Sequence, residues 1–268
     1  MKKEILLECT NLTKNFSGVK ALDCVDLKIG RGKIIGLLGP NASGKTTLIK
    51  IINGLLVPTL GDVMVDGEKP GPYTKSIISY LPDKPYFADW MKVKDLLGLF
   101  GEFYEDFDRA KAEAMCASLG IGAEDRIKSM SKGTREKVQL ILVMSRRAEL
   151  YLLDEPIAGV DPAARDFILS TIINNYNEEG TVIISTHLIS EIERILDEVI
   201  FLKDGRVVRH ETVDAVKEKE GKSIDELFRE IFRMVPVTAA QGLKEEKWVY
   251  RDPREVIVAA KDGREKGE

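Results

Sequence analysis

The stretch Gly39-Pro40-Asn41-Ala42-Ser43-Gly44-Lys45-Thr46, with Thr47 behind it, satisfies the pattern G-x-x-x-x-G-K-[ST]. It stands between an apolar run, "KIIGLL", and a run of helical spacing, "TTLIKIINGLL", as the chemistry of a phosphate loop requires. The glycines allow backbone N–H groups to turn inward around phosphates, and the helix start adds its positive dipole end. Lys45 would then reach the β- and γ-phosphates and Thr46 would ligate Mg²⁺. Further on, "LYLLDEP" delivers Asp154 and Glu155 at the end of an apolar strand. There Asp154 could hold Mg²⁺ through water, while Glu155 could orient and deprotonate an attacking water; alone, the pair could as well cap the next helix. His187 follows another apolar run, "TVIIST", and is placed either to contact a γ-phosphate or simply to sit in the first turn of a helix behind Thr186. A second anion-holding place is written in "KSMSKGTREKVQL", a Ser-x-Gly loop at Ser131 and Gly133 that opens an apolar helix. One chain with two phosphate grips so far apart in sequence needs an explanation.

The elements that must position these residues are legible as periodicity. "EILLECTNL", "CVDLKI", "KIIGLLG", "GDVMVDG", "SIISYLP", "ELYLLDEP" and "TVIIST" read as strands, and "EVIFLKDGRVVRH" as a hairpin turning at Asp204-Gly205. Helical spacing is expected from Lys45 to Gly54 and through Lys92 to about Arg147, with Leu96, Leu97, Leu99, Phe100 and Phe103 as one stripe. It recurs in "PAARDFILSTIINNYNEEG", ending at its Gly, and in "HLISEIERIL". "AVKEKEGKSIDELFREIFRMV" reads as a single amphipathic helix, and "REVIVAA" as one strand in a polar C-terminal remainder. Strands alternating with helices imply an α/β layered sheet, with antiparallel strands at the start and a helical insertion.

Composition restricts the function classes. The chain has 268 residues, 44% hydrophobic and 31% charged, which describes a globular protein with a substantial core. A formal net charge of -4 argues against general affinity for nucleic acid or anionic lipid, so an anion must be held by a local site. Cys9, Cys24 and Cys116 are scattered and odd in number, which disfavours disulfides or structural zinc and suits a reducing compartment. With neither a signal-peptide stretch at the start nor a run near the roughly 18–20 apolar residues that span a bilayer, a cytoplasmic protein is expected.

A phosphate loop, then "MSKGTRE", "LYLLDEP", "AGVDP" and "STH", in that order over roughly residues 4 to 230, resembles the ATP-binding-cassette (ABC) ATPases. The resemblance implies a P-loop NTPase (RecA-like) core with an antiparallel β-subdomain and an inserted helical subdomain at about 84–146. It places the ATPase domain at 1–235 and leaves 236–268 as an extension. It implies ATP and Mg²⁺ as ligands, and it accounts for the two grips. In this family two ATPase domains pack head to tail, and each Ser-x-Gly loop closes on the nucleotide of the other.

Residue by residue, the resemblance assigns Gly39 to Thr47 to the phosphate loop and Ser131 and Gly133 to the signature loop. Asp154 and Glu155 fall on the Walker B strand, Asp161 on the loop linking the two sites, and His187 on the switch position. Phe16 falls where the family stacks an aromatic on adenine, with a small-core phenylalanine as the alternative. Three departures stand out. Ala42 replaces a usual glycine, a mild change if it keeps φ negative. Lys132 stands inside the signature, either near the partner's phosphates or solvated. Asp83 stands where glutamine is expected, a hard Mg²⁺ ligand but one methylene, about 1.5 Å, shorter, so direct and water-mediated contact stay open.

The resemblance further implies a membrane-spanning permease subunit as partner, peripheral placement on the inner face of the cell membrane, and the exporter branch. An ABC ATPase outside transport, such as one for iron–sulfur assembly, is the alternative. Within "KPYFADWMKV", Tyr86, Phe87, Trp90 and Met91 are of the types that anchor interfaces or fill the insertion's own core.

Overall fold

The computed structural model describes residues 3–232, 234–236 and 248–250. The chain forms two compact units, residues 1–213 and 214–268. In the first, β1 (Ile5–Phe16), β2 (Val19–Gly30) and β4 (Leu60–Val65) make an antiparallel sheet in the order β2-β1-β4. The main sheet uses β3 (Ile34–Leu38), β5 (Ile78–Leu81), β6 (Leu150–Asp154), β7 (Thr181–Thr186), β8 (Glu198–Lys203) and β9 (Arg206–Thr212). Its order is β5-β6-β7-β3-β8-β9, parallel except for the last strand. β3, β6 and β7 are buried along their whole length, which is why they read as continuous apolar runs rather than alternating ones.

Register fixes where the strand ends lie. Leu38 lies opposite Thr186, and Asp154 lies opposite Ser185. The residues that continue each parallel strand therefore emerge at one edge of the sheet, where such sheets bind ligands. α1 (Lys45–Ile52) starts directly behind the phosphate loop and buries Leu48, Ile49, Ile51 and Ile52 in a core shared by both sheets.

The insertion consists of α3 (Val93–Phe103), α4 (Arg109–Ser118) and α5 (Lys132–Met144), which enclose their own core around Leu96, Leu97, Phe100, Cys116 and Ile141. The expected stripe is only half right. Leu99 is 39% and Phe103 72% exposed, because the buried face of α3 runs Val93-Leu96-Leu97-Phe100 and those two residues fall off it.

Other expectations are corrected by local chemistry. A short helix, α2 (Pro72–Ile77), precedes β5 without apolar periodicity; Pro72 opens it, and the Thr74 hydroxyl accepts from the Gly71 N–H at 2.9 Å. α6 (Pro162–Asn175) ends before Tyr176, not at Gly180. "HLISEIERIL" holds only α7 (Ile189–Ile192) and a 3-10 turn. The amphipathic segment after Thr212 is two helices, α8 (Val213–Glu220) and α9 (Ile224–Ile231). Gly221 adopts φ 63° between them, and Ser223 with Glu226 forms a capping box that starts the second. In the second unit, β10 (Met234–Pro236) pairs antiparallel with β11 (Trp248–Tyr250). The strand expected at "REVIVAA" lies outside the described residues.

Candidate nucleotide site

The loop after β3 is built by steric necessity. A Cβ on Gly39 would come within 2.4 Å of the Leu202 carbonyl oxygen, and one on Gly44, at φ 108°, within 2.5 Å of the Ala21 carbonyl oxygen. Only glycine closes the loop this tightly. Ala42 does not keep φ negative: it sits at φ 65°, in the left-handed region, so a methyl group occupies a conformation that favours glycine. Ser43 is 3% exposed and its hydroxyl has no hydrogen-bond partner. A buried hydroxyl without a protein partner inside a loop of this shape fits an anion as its partner.

Lys45 is 6% exposed, and its ammonium donates to the carbonyls of Gly39 at 2.8 Å and Pro40 at 3.2 Å. The same nitrogen lies 3.3 Å from Glu155 Oε1, while Glu155 Oε2 lies 3.0 Å from His187 Nδ1. Glu155 thus bridges the loop lysine and the histidine. It reaches them from φ 51°, with its N–H donating to both Ser185 O and Ser185 Oγ at 3.0 Å.

Asp154 is 1% exposed. Burial pushes its carboxyl above the ordinary carboxylate value; hydrogen bonds from Ser185 and Thr46 pull it down, and nearby Asp83 and Glu155 raise it again. The Ser185 hydroxyl donates to Asp154 Oδ1 at 2.7 Å and the Thr46 hydroxyl at 3.1 Å. A buried carboxylate beside a threonine hydroxyl is a hard-oxygen donor set that fits Mg²⁺. Among the described residues no three His, Cys, Asp or Glu side chains converge on a metal-sized site; Mg²⁺ is commonly held by one or two carboxylates with waters and substrate phosphates.

Phe16, Asp83, Glu155 and His187 share with residues 41–47 the lining of one cavity of about 560 Å³. Phe16 is 42% exposed, so the small-core alternative does not hold; Lys14 Nζ lies 5.0 Å from its ring centre. Sequence reasoning missed Ser185, whose only signal was a hydroxyl near the end of an otherwise apolar strand. It also missed Val19, Lys20 and Ala21, which join the lining from the start of β2.

The lining does not include Ser131, Gly133 or Asp161. Ser131 caps α5, its hydroxyl accepting from the Thr134 N–H at 3.1 Å, and it is exposed. A Cβ on Gly133 would meet nothing within 4 Å. Lys132 is 80% exposed and 3.6 Å from Glu136. Asp161 caps α6, accepting from the Ala164 N–H at 3.0 Å.

The aromatic run of the insertion divides. Phe87 and Met91 pack against the insertion's core, whereas Tyr86 and Trp90 are 60% and 73% exposed. Arg146 joins insertion to sheet. Its guanidinium donates to both carboxylate oxygens of Asp106, at 2.9 and 3.1 Å, and to the carbonyls of Ser76 and Ile78, and it lies 3.7 Å from the centre of the Tyr104 ring.

Comparison with known proteins agrees with this fold. The family described as ABC transporter matches residues 22–158. An uncharacterised ABC transporter ATP-binding protein of Methanocaldococcus jannaschii is 34% identical over 229 residues, 82% of this chain and 81% of the relative. A solved ATP-binding subunit of an ABC transporter superposes with a TM-score of 0.73 at 27% identity, over 84% of this chain and 98% of its own. A cassette solved as a dimer in a post-hydrolysis state, bound to ADP and Pi, shares the fold with a TM-score of 0.68 at 23% identity, over 77% of this chain and 98% of its own. The fold and site define an ATP-hydrolysing cassette of the P-loop class. The chain belongs to the ABC transporter family and is an ATP-binding subunit of that family. Among the described residues no helix is long and apolar enough to cross a membrane.

Proposed function

We propose that this subunit energises export through a separate membrane-spanning partner, on the inner face of the cell membrane, by ATP-driven pairing of two ATPase domains. Residues 1–235 form the ATPase domain in this reading. The observation that supports the pairing is the separation of the two grips. Lys45, Glu155 and His187 meet in one cavity, while Ser131 and Gly133 lie exposed outside its lining, and a Cβ on Gly133 would meet open space. In this reading a second domain brings its Ser131 and Gly133 to this cavity; a cassette of the same fold has been solved as a dimer bound to ADP and Pi.

In this reading the adenine stacks on Phe16 and the phosphates enter the loop of residues 39–47. Lys45 exchanges the carbonyls of Gly39 and Pro40 for β- and γ-phosphate oxygens, and its ion pair with Glu155 opens. Glu155, no longer shared with Lys45, orients a water and takes its proton, while His187 contacts the γ-phosphate. Thr46 and Asp154, with Asp83 at the edge of the cavity, would hold Mg²⁺, which neutralises charge developing on the transferred phosphoryl group. Ser131 and Gly133 of the opposite domain close over the γ-phosphate with the start of α5 behind them.

The test uses two inactive variants. Lys45→Ala removes the cation from a chain's own loop, and Ser131→Arg blocks the grip offered to the partner. Each alone leaves both composite sites damaged, but a mixed dimer contains one intact site. Mixing the variants should restore part of the ATPase activity and ATP-dependent dimerisation. Recovery of neither refutes the shared site.

A further inference from the structure

β2 does not keep one alternation along its length. From Cys24 to Ile29 exposed and buried residues alternate, but Leu22 and Asp23 are buried side by side. The break is a bulge. Leu12 pairs with Val25 and Lys14 with Leu22, so β2 advances three residues where β1 advances two, and Cys24 sits at φ 50°. A bulge re-aims the side chains beside it, and here Asp23, 8% exposed, meets Arg206 at the start of β9. Its N–H donates to the Gly205 carbonyl at 2.9 Å, which ties it to the β8–β9 hairpin. Asp23 Oδ2 accepts from Arg206 Nε at 2.7 Å and from Nη2 of the same guanidinium, while Oδ1 accepts from Lys20 Nζ at 2.9 Å. The hydrogen bonds from Lys20 and Arg206 hold the Asp23 carboxyl below the ordinary carboxylate value. One carboxylate thus carries two cations, and the trio keeps a net positive charge.

Of that trio Lys20 alone lines the nucleotide cavity. The other lysine of the lining, Lys45, is engaged by Glu155 and by two carbonyls of its own loop. Along the chain Lys20 stands between Phe16 and Ala21, and the Ala21 carbonyl oxygen lies 2.5 Å from where a Cβ on Gly44 would be. Its ammonium therefore belongs to the stretch that joins the aromatic ring to the phosphate loop.

We infer that Lys20 is a nucleotide-binding residue that leaves Asp23 for the phosphate next to the ribose, and that Arg206 is the positioning residue that frees it. The inference rests on the reading that puts adenine on Phe16 and the phosphates in the loop, and it adds a cation from outside the loop. Lys45 reaches the β- and γ-phosphates in that reading, which leaves the α-phosphate without a side-chain cation. Release of Lys20 does not strand Asp23, because Arg206 still donates to it twice. The Lys20 side chain is 53% exposed, so its pair with Asp23 is screened and weak. A hydrogen bond from an ammonium to a phosphate oxygen is charge-assisted and stronger. A pair that served the surface alone would leave nucleotide binding indifferent to both residues.

The experiment is isothermal titration calorimetry of the full chain with ATP and with ADP, in EDTA so that turnover is stopped. Lys20→Met should weaken both nucleotides about 10-fold, the lower end of what a hydrogen bond to a charged group supplies. The ratio of ATP to ADP affinity should not change, because both nucleotides carry the α-phosphate. Lys20→Arg should keep most of the affinity. Arg206→Met leaves Lys20 as the side-chain cation on Asp23 and should also weaken both nucleotides. The double variant should bind no more weakly than Lys20→Met alone, since the two residues act through one ammonium. Melting temperatures report folding, and both side chains are more than half exposed. Unchanged binding in Lys20→Met overturns the inference, as does a loss confined to ATP, which would place the contact at the γ-phosphate. A loss that Lys20→Arg fails to recover also overturns it, because packing rather than charge would then be at work. Arg206→Met binding like the unaltered chain overturns the part given to Arg206. Lys45→Ala separates this inference from the reading beneath it. If that variant binds both nucleotides normally, the phosphates do not sit in the loop and both fail. If it binds weakly while Lys20→Met binds normally, only the inference about Lys20 fails.

Discussion

Replacing Ala42 by glycine tests the geometry of the phosphate loop through a sign. At φ 65° the alanine methyl is held where an L-residue pays about 1–2 kcal/mol relative to glycine. Glycine also gives the unfolded chain more freedom, which costs about 0.4–1 kcal/mol on folding. The difference leaves Ala42→Gly more stable by about 0.8 kcal/mol. For a domain of this size that raises the melting temperature by roughly 2–3 °C. If φ at this position were negative, only the entropic term would act and the same substitution would lower stability by about 0.4–1 kcal/mol. Differential scanning calorimetry or urea unfolding of the nucleotide-free chain distinguishes the outcomes. A lowered melting temperature refutes the left-handed turn, and with it the account of why the loop curls here.

Glu155→Gln should keep nucleotide binding and slow hydrolysis about 10²- to 10⁴-fold, with a persistent ATP-bound dimer on gel filtration; near-normal turnover removes Glu155 as the base. Asp83→Asn should weaken Mg²⁺-dependent turnover more than nucleotide binding in EDTA, and equal loss of both points to packing instead. Asp154→Asn should stabilise the nucleotide-free chain at neutral pH. A carboxyl whose folded value is raised costs stability as pH climbs through that value, so the gain should shrink toward acid pH, and a pH-independent difference in melting temperature rules this out. Arg146→Ala strands Asp106 and two carbonyls, and should cost about 3 kcal/mol or more in urea unfolding; a change under 1 kcal/mol would show that the insertion does not depend on this bridge.

The chemistry-bearing residues and the class of fold are legible along the chain. Gly39 to Thr47, Asp154-Glu155 and His187 can be read because each stands at the end of a fully buried strand, and a buried strand is an unbroken apolar run. Helices with a clear buried face are readable for the same reason. Where local rules compete with periodicity the reading slips. Gly221 and the Ser223 cap split an amphipathic run that looks continuous, and α2 has a proline start but no apolar face to announce it.

Whatever depends on distance across the chain is settled by the folded packing instead. Parallel register brings Thr186 beside Leu38 and Ser185 beside Asp154, and so makes one cavity out of segments far apart in sequence. The bridge from Lys45 through Glu155 to His187 and the role of Ser185 arise from that register. The positive φ at Ala42 appears only in the folded loop, and the exposure of Trp90 against the partial burial of Phe87 follows from which side of the insertion faces its own core. Such features are properties of neighbours in space, and a chain read along its length names those neighbours only after it has folded.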